Sequence, residues 1–276
     1  MLSNIKQSVY NFIGYGKKDE KSFKKELEVP PFVVDIIRYY IKIEDSKKSG
    51  KIQYFEDFPR HFDVNRLRNH SNSILIIGKA NSGKTKLAMD LIHNINNNTS
   101  IVFNRTEENM AQYSLEQDHM IYKEYDDNIL KNLVNSQNEA LRKQMKNTRS
   151  RGKRKDIRKT LVLDDGIIDE NREPSRQISN VVMNSRHYYL DTIITSQTGH
   201  FPPRFRANIN YIFIGRENYL CKQDRLYKLY GGMFSTKSAF MGALDKYTKN
   251  YGFMVIDNKS RSNNVRDNVF WYKAER

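Results

Sequence analysis

The residues best suited to chemistry are gathered in Gly78-Lys79-Ala80-Asn81-Ser82-Gly83-Lys84-Thr85, followed by Lys86. An apolar run, Ile74-Leu75-Ile76-Ile77, leads into this loop, and Leu87, Leu91, Ile92 and Ile95 follow it on one helical face. That order reads as strand, phosphate loop, helix. A triphosphate is held at close range by backbone N–H groups, where a Cβ would collide, so Gly78 and Gly83 free the backbone to curl. Lys84 is spaced to reach the β- and γ-phosphates and the Thr85 hydroxyl to bind Mg²⁺, with residues 78–86 forming the binding loop. Average usage would produce such a string by chance in on the order of one sequence in a hundred of this length, and rarely between a strand and a helix.

A second group completes the chemistry. Thr160-Leu161-Val162-Leu163 is an apolar strand that ends in Asp164-Asp165. Taken alone, this is a strand entering an Asp-Gly turn. Downstream of a phosphate loop, Asp164 suits the metal and Asp165 suits orientation of an attacking water. Thr192-Ile193-Ile194-Thr195-Ser196 ends in Gln197, which at the tip of a strand beside the acid-bearing one would sense the γ-phosphate. Arg186, Arg204 and Arg206 are either ordinary surface ion-pairing residues or arginines delivered into a neighbouring subunit's site to stabilise transition-state charge.

These residues need a scaffold that brings several strand ends together. Short apolar runs at 74–78, 100–104, 160–164, 191–195 and 210–215 alternate with helical or loop segments, and 120–125 is a further candidate strand. Such alternation predicts a parallel sheet with helices on both faces. A helix is expected over 128–148, and another opening at Pro174 with Ile178, Val181, Val182, Ser185 and Tyr189 on one face. Residues 71–276 are expected to form the nucleotide-binding domain, with a basic insertion at about 142–159, and 1–70 a partly helical extension. In that extension Leu2, Ile5, Val9, Phe12 and Ile13 have helical spacing, which suits packing on the domain or, alternatively, a membrane surface or partner. The denser apolar segment 32–43 reads as core. The basic tract (Arg142, Lys143, Lys146, Arg149, Arg151, Lys153, Arg154, Lys155, Arg158 and Lys159, opposed by Asp156) reads equally as a solvated loop or as an arm gripping a phosphate backbone.

Composition narrows the setting. The chain has 276 residues, 38% hydrophobic and 12% aromatic, enough for one large α/β domain. An excess of 47 Lys+Arg over 32 Asp+Glu, net +15, points to polyanionic partners, nucleic acid or an anionic membrane surface. Cys221 is the one cysteine, so no disulfide framework or cysteine zinc site is expected. No apolar run approaches the ~18 residues of a spanning helix, and the start lacks the pattern of a signal peptide.

The order of the phosphate loop, Leu-Val-Leu-Asp-Asp (161–165), Asn-Ser-Arg-His (184–187), Ile-Ile-Thr-Ser-Gln (193–197) and Pro-Pro-Arg-Phe-Arg-Ala-Asn-Ile (202–209) resembles the poxvirus-type DNA-packaging ATPases of nucleocytoplasmic large DNA viruses and their relatives, within the FtsK/HerA superfamily. The likeness covers roughly residues 70–218, and the runs 251–257 and 269–274 suit that family's C-terminal strands. Ser185 departs from the glycine usual before Arg-His. The resemblance implies an α/β fold, the P-loop NTPase three-layer sandwich with a mostly parallel central sheet of the additional-strand type. It also implies a homo-oligomeric ring of five or six subunits, with ATP and Mg²⁺ between subunits and double-stranded DNA moved through the centre into preformed capsids. Capsid vertex proteins would be partners, and host cytoplasm (virus factory) or virion the setting. The alternatives are a HerA-like DNA-processing translocase, a P-loop kinase or regulatory protein, and a DNA-tethering protein with a degenerate site. A GTPase is disfavoured, because no Asn-Lys-x-Asp motif is present and Leu163 stands three before Gly166.

Overall fold

The computed structural model describes residues 60–275 except 69, 98, 115–118, 150–155, 165 and 169–172. The chain divides into two units, Met1–Asp57 and Phe58–Arg276, and every described element belongs to the second. The N-terminal helix, the apolar segment 32–43, Asp165, and Arg151, Lys153, Arg154 and Lys155 of the basic tract lie outside the described residues.

The strands are β1 (Arg60–His61), β2 (Ser73–Ile77), β3 (Ser100–Phe103), β4 (His119–Tyr122), β5 (Lys159–Leu163), β6 (Leu190–Ser196), β7 (Tyr211–Ile214), β8 (Phe253–Asp257) and β9 (Val269–Tyr272). Among the described residues they form one sheet in the order β1-β9-β8-β7-β2-β6-β5-β3-β4. From β7 to β4 every pairing is parallel. β8 runs antiparallel to both β7 and β9. The sheet is therefore mostly parallel, and β6 is inserted between β2 and β5. All five expected runs became strands, as did the candidate at 120–125, which spans His119–Tyr122.

The helices are α1 (Lys84–Ile95), α2 (Glu107–Ser114), α3 (Asp127–Arg149), α4 (Arg176–Asn184), α5 (Pro203–Arg206), α6 (Leu220–Tyr230), α7 (Lys237–Tyr247) and α8 (Val265–Asn268). The face of α1 read from the sequence, Leu87, Leu91, Ile92 and Ile95, is buried. It packs in one cluster with Ile74, Ile76, Val102, Val162, Ile193, Phe213 and Val255. Strand alternation sends Leu75 and Ile77 to the opposite face, and Phe240 and Leu244 of α7, which contacts β8, are buried outside that cluster. A sheet buried on both faces accounts for its nearly continuous Ile, Leu and Val runs.

Two local features differ from expectation. Helix α4 opens after Ser175, whose hydroxyl accepts from Ile178 N at 3.2 Å. Tyr189 is not on its buried face, because the helix passes into a 3₁₀ turn at Ser185–His187 and Tyr189 takes a left-handed φ of 54°. Arg60–His61, read from sequence as part of the extension, join the sheet, and Val64–Leu67 forms a 3₁₀ turn after them. β1 pairs with β9, and Phe62 lies edge-on to Tyr211 and Phe213 at 5.2 and 5.5 Å.

Candidate active site

The loop between β2 and α1 is shaped by residues that have little alternative. Gly83 caps α1 with φ 87°, a conformation costly for side chains. A Cβ on Gly78 would run into the Ser82 side chain. Asn81 also adopts a left-handed φ, 59°, which asparagine tolerates. This bend was not foreseen from the glycines alone. Gly78 N–H donates to the Ser196 carbonyl at 3.0 Å, so the loop is tied to the tip of β6.

Lys84 is buried, and its ammonium donates to the Lys79 carbonyl at 3.1 Å, lying back across the loop. Ser82 Oγ is buried without a hydrogen-bond partner. A buried hydroxyl without a partner among the described residues, in a loop of this shape, is what a phosphate oxygen would satisfy. Lys79, Ala80, Asn81 and Lys86 are exposed along the loop.

Asp164 sits immediately after β5 and is wholly buried. Its Oδ2 accepts from Thr85 Oγ1 at 3.1 Å, Asn104 Nδ2 at 2.9 Å and Tyr113 OH at 2.9 Å, and its Oδ1 from Thr195 Oγ1 at 2.6 Å. Thr85 and Asp164, chosen from the sequence as metal ligands, are thus brought into contact. Because the Thr85 hydroxyl donates its hydrogen to Asp164, the lone pairs of Oγ1 remain for a cation. Hydroxyl and carboxylate oxygens of this kind fit Mg²⁺, which takes few protein ligands and keeps several waters.

Asn104, Tyr113 and Thr195 were not read as site residues. Asn104 and Thr195 lie at the C-terminal ends of β3 and β6, the strands flanking β5, and that position is the signal that could have found them. Tyr113, on α2, carried no such signal.

Gln197 is exposed directly after β6, one residue beyond the carbonyl that holds Gly78. The strand that bears it is hydrogen-bonded to both the loop strand and the acid strand. The arginines are placed differently. Arg186 is exposed in the turn before β6, at the end of the sheet opposite Gln197 and about 20 Å from it along a strand of seven residues. Arg204 pairs with Glu173 at 2.8 Å, both side chains exposed. Arg206 donates to the Phe201 and Leu229 carbonyls at 3.0 and 2.8 Å, joining the start of α5 to the end of α6.

In the basic tract, Arg142, Lys143 and Lys146 are exposed on α3. Arg158 pairs with Asp156 at 2.7 Å and donates to the Arg68 carbonyl, and Lys159 opens β5. These last residues sit at the N-terminal end of β5, away from Asp164.

A loop strand, an acid-bearing strand and one strand inserted between them define the class, a P-loop NTPase of the additional-strand type. The family model described as the Poxvirus A32 protein matches residues 59–223. An uncharacterized protein, L437, of Acanthamoeba polyphaga mimivirus is 32% identical over 217 residues, 77% of this chain and 76% of that protein. Uncharacterized protein 088R of Invertebrate iridescent virus 3 is 30% identical over 211 residues, covering 74% and 76%. The chain belongs to the Poxvirus A32 protein family. Among solved structures, B204, the DNA-packaging ATPase from Sulfolobus Turreted Icosahedral Virus, aligns with a TM-score of 0.53 at 15% identity over 75% of this chain and 100% of that one. The pCW3 conjugation coupling protein TcpA aligns with a TM-score of 0.52 at 15% identity over 77% and 61%. At that identity the two likenesses concern the fold.

Proposed function

We propose that this chain is an ATP-driven double-stranded DNA translocase that packages a viral genome into preformed capsids, working as a homo-oligomeric ring. The observation that carries the ATPase reading is the contact between the Thr85 hydroxyl and Asp164 at the foot of a phosphate loop, with Gln197 on the strand between them. Family membership and the fold shared with a viral DNA-packaging ATPase support the cargo. Net charge of +15 is suited to sequence-independent phosphate contacts. Among the described residues no helix is long and apolar enough to cross a membrane.

In this reading the backbone of residues 78–85 cradles the phosphates, and Lys84 leaves the Lys79 carbonyl for the β- and γ-oxygens. Thr85 and Asp164 hold Mg²⁺, which when bound neutralises charge developing on the phosphates. Asp165 orients the water. Gln197 senses the γ-phosphate and, through β6, passes its loss to both neighbouring strands. Arg186, far from its own subunit's loop, and exposed Arg204 are candidates to act across a subunit boundary. Arg206, holding two carbonyls, serves the fold in the monomer.

The test is hydrolysis with and without linear duplex DNA across a salt series. Stimulation by DNA that fades steeply as salt rises is expected, with Lys84→Ala losing turnover by on the order of a hundredfold or more. A Lys84→Ala variant with unchanged turnover overturns the mechanism, and indifference to DNA overturns the cargo.

A further inference from the structure

Tyr251 lays an exposed aromatic ring against the phosphate loop. A Cβ placed on Gly83 would stand 3.5 Å from Tyr251 Cδ1, so the ring lies over the last glycine of the loop, yet the residue is 68% exposed. Its backbone is strained to put it there. Asn250 and Tyr251 take consecutive left-handed φ values of 52° and 62°. Asparagine accepts that conformation, but a bulky aromatic residue is a genuine outlier in it. The turn is held from both sides. Thr248 is buried with its hydroxyl on the Leu244 carbonyl at 2.6 Å, Gly252 N–H donates to the Lys249 carbonyl at 2.9 Å, and a Cβ on Gly252 would strike the Tyr247 carbonyl. Strain of this kind persists where the surroundings enforce it, and it gathers at ligand sites.

Strand order says which part of a ligand would meet this ring. Thr85, Asp164 and Gln197 lie toward β6 and β5, on one side of β2. A triphosphate wound along the loop with its γ end toward those groups leaves its nucleoside on the other side, where β7 and β8 lie. Tyr251 stands there, two residues before β8 begins. We propose that Tyr251 is the stacking platform for the nucleobase. This rests on the reading of residues 78–85 as a nucleotide site. An aromatic face stacks on any base, so the ring supplies affinity with little choice between adenine and guanine.

The experiment compares binding of Mg·ATPγS and of Mg·tripolyphosphate, which has no base, by calorimetry on the full chain and its Tyr251→Ala, Tyr251→Phe and Tyr251→Gly variants. Tyr251→Ala and Tyr251→Gly should weaken ATPγS binding about tenfold while leaving tripolyphosphate unchanged, and Tyr251→Phe should bind ATPγS like the wild type. Tyr251→Gly should also melt at or above the wild-type temperature, since glycine accepts the left-handed conformation. Equal losses for both ligands would make the ring a prop for the loop, and unchanged ATPγS binding would remove it from the site. Either result overturns the proposal. Failure of the wild-type protein to bind either ligand would instead refute the nucleotide site on which it rests.

Discussion

Two aspartates are wholly buried at opposite ends of the same parallel strands, and their partners differ in kind. Asp164, just past the C-terminal end of β5, gathers side chains from the start of α1, the tip of β3, helix α2 and the end of β6. Asp191, at the start of β6, accepts from the Asn72 backbone N–H at 2.8 Å and from the Asn97 amide at 2.9 Å. Burial pushes the Asp191 carboxyl up to about 6, against hydrogen bonds from Asn97 and Asn72 and the charge of Arg158. Asp191 stitches the entry into β2 and the loop after α1 to the base of β6. Asp164 instead joins the start of α1, the tip of β3, helix α2 and the end of β6 around the position proposed for the cation. In a parallel α/β sheet ligands gather outside the carboxyl ends of the strands, so similar buried acids acquire different work from the end at which they stand.

The sharpest way to break this contrast is to neutralise each acid. Asp164→Asn should lower ATP turnover by roughly 10²–10³-fold, the scale of losing several kcal/mol of transition-state stabilisation, whereas Asp191→Asn should leave turnover near wild type. Equal losses in a steady-state assay would show that the two ends are not functionally separate.

The next effect concerns stability and pH. A folded-state value near 6 for Asp191, above the usual carboxylate 3.8, means that the native chain keeps a proton that the unfolded chain has lost between about pH 4 and 6. Stability therefore falls as pH rises through that window, by roughly 2–3 kcal/mol from this group. Urea unfolding at pH 4.5 and pH 7 should show Asp191→Asn gaining on the wild type at the higher pH, and parallel pH profiles for the two would refute this account.

A smaller effect should follow from Tyr113→Phe, which removes one hydroxyl from Asp164 and keeps the ring in the core. The loss of a hydrogen bond to a charged group, about 1.5–3 kcal/mol, should appear as weaker Mn²⁺-dependent nucleotide binding, measured by titration, with nucleotide binding in EDTA little changed. If both fall equally, Tyr113 supports the core alone. Smallest of all, Arg204→Ala should change the melting temperature by a degree or two at most, because its ion pair with Glu173 is exposed and worth under about 1 kcal/mol. A large fall in turnover with that unchanged stability would identify Arg204 as acting between subunits.

Much of the candidate site was legible in the chain itself. Gly78, Gly83, Lys84 and Thr85 answer to the geometry of a phosphate, which leaves few residue types admissible. Asp164 and Gln197 were legible as polar residues ending apolar strands. Asn104 and Thr195 were not, since their meaning arises only when β3 and β6 flank β5, and Tyr113 reaches Asp164 from a helix with no periodic mark. The C-terminal runs were read as strands only through the family resemblance, and their antiparallel course and the pairing of Arg60–His61 with β9 depend on contacts distant in sequence. Arg206 looked like Arg204 until the fold gave it two carbonyls to hold.

The chain alone determined that a phosphate loop stands between an apolar strand and an amphipathic helix, with an acid-ended strand downstream, because steric and hydrogen-bonding demands of that kind act over a few neighbouring residues. Only the tertiary structure decided that Thr85 meets Asp164, that Asp191 faces the other way and that Tyr251 leans on Gly83. Strand order and direction set those relations, and they come from packing a whole sheet rather than from any one segment.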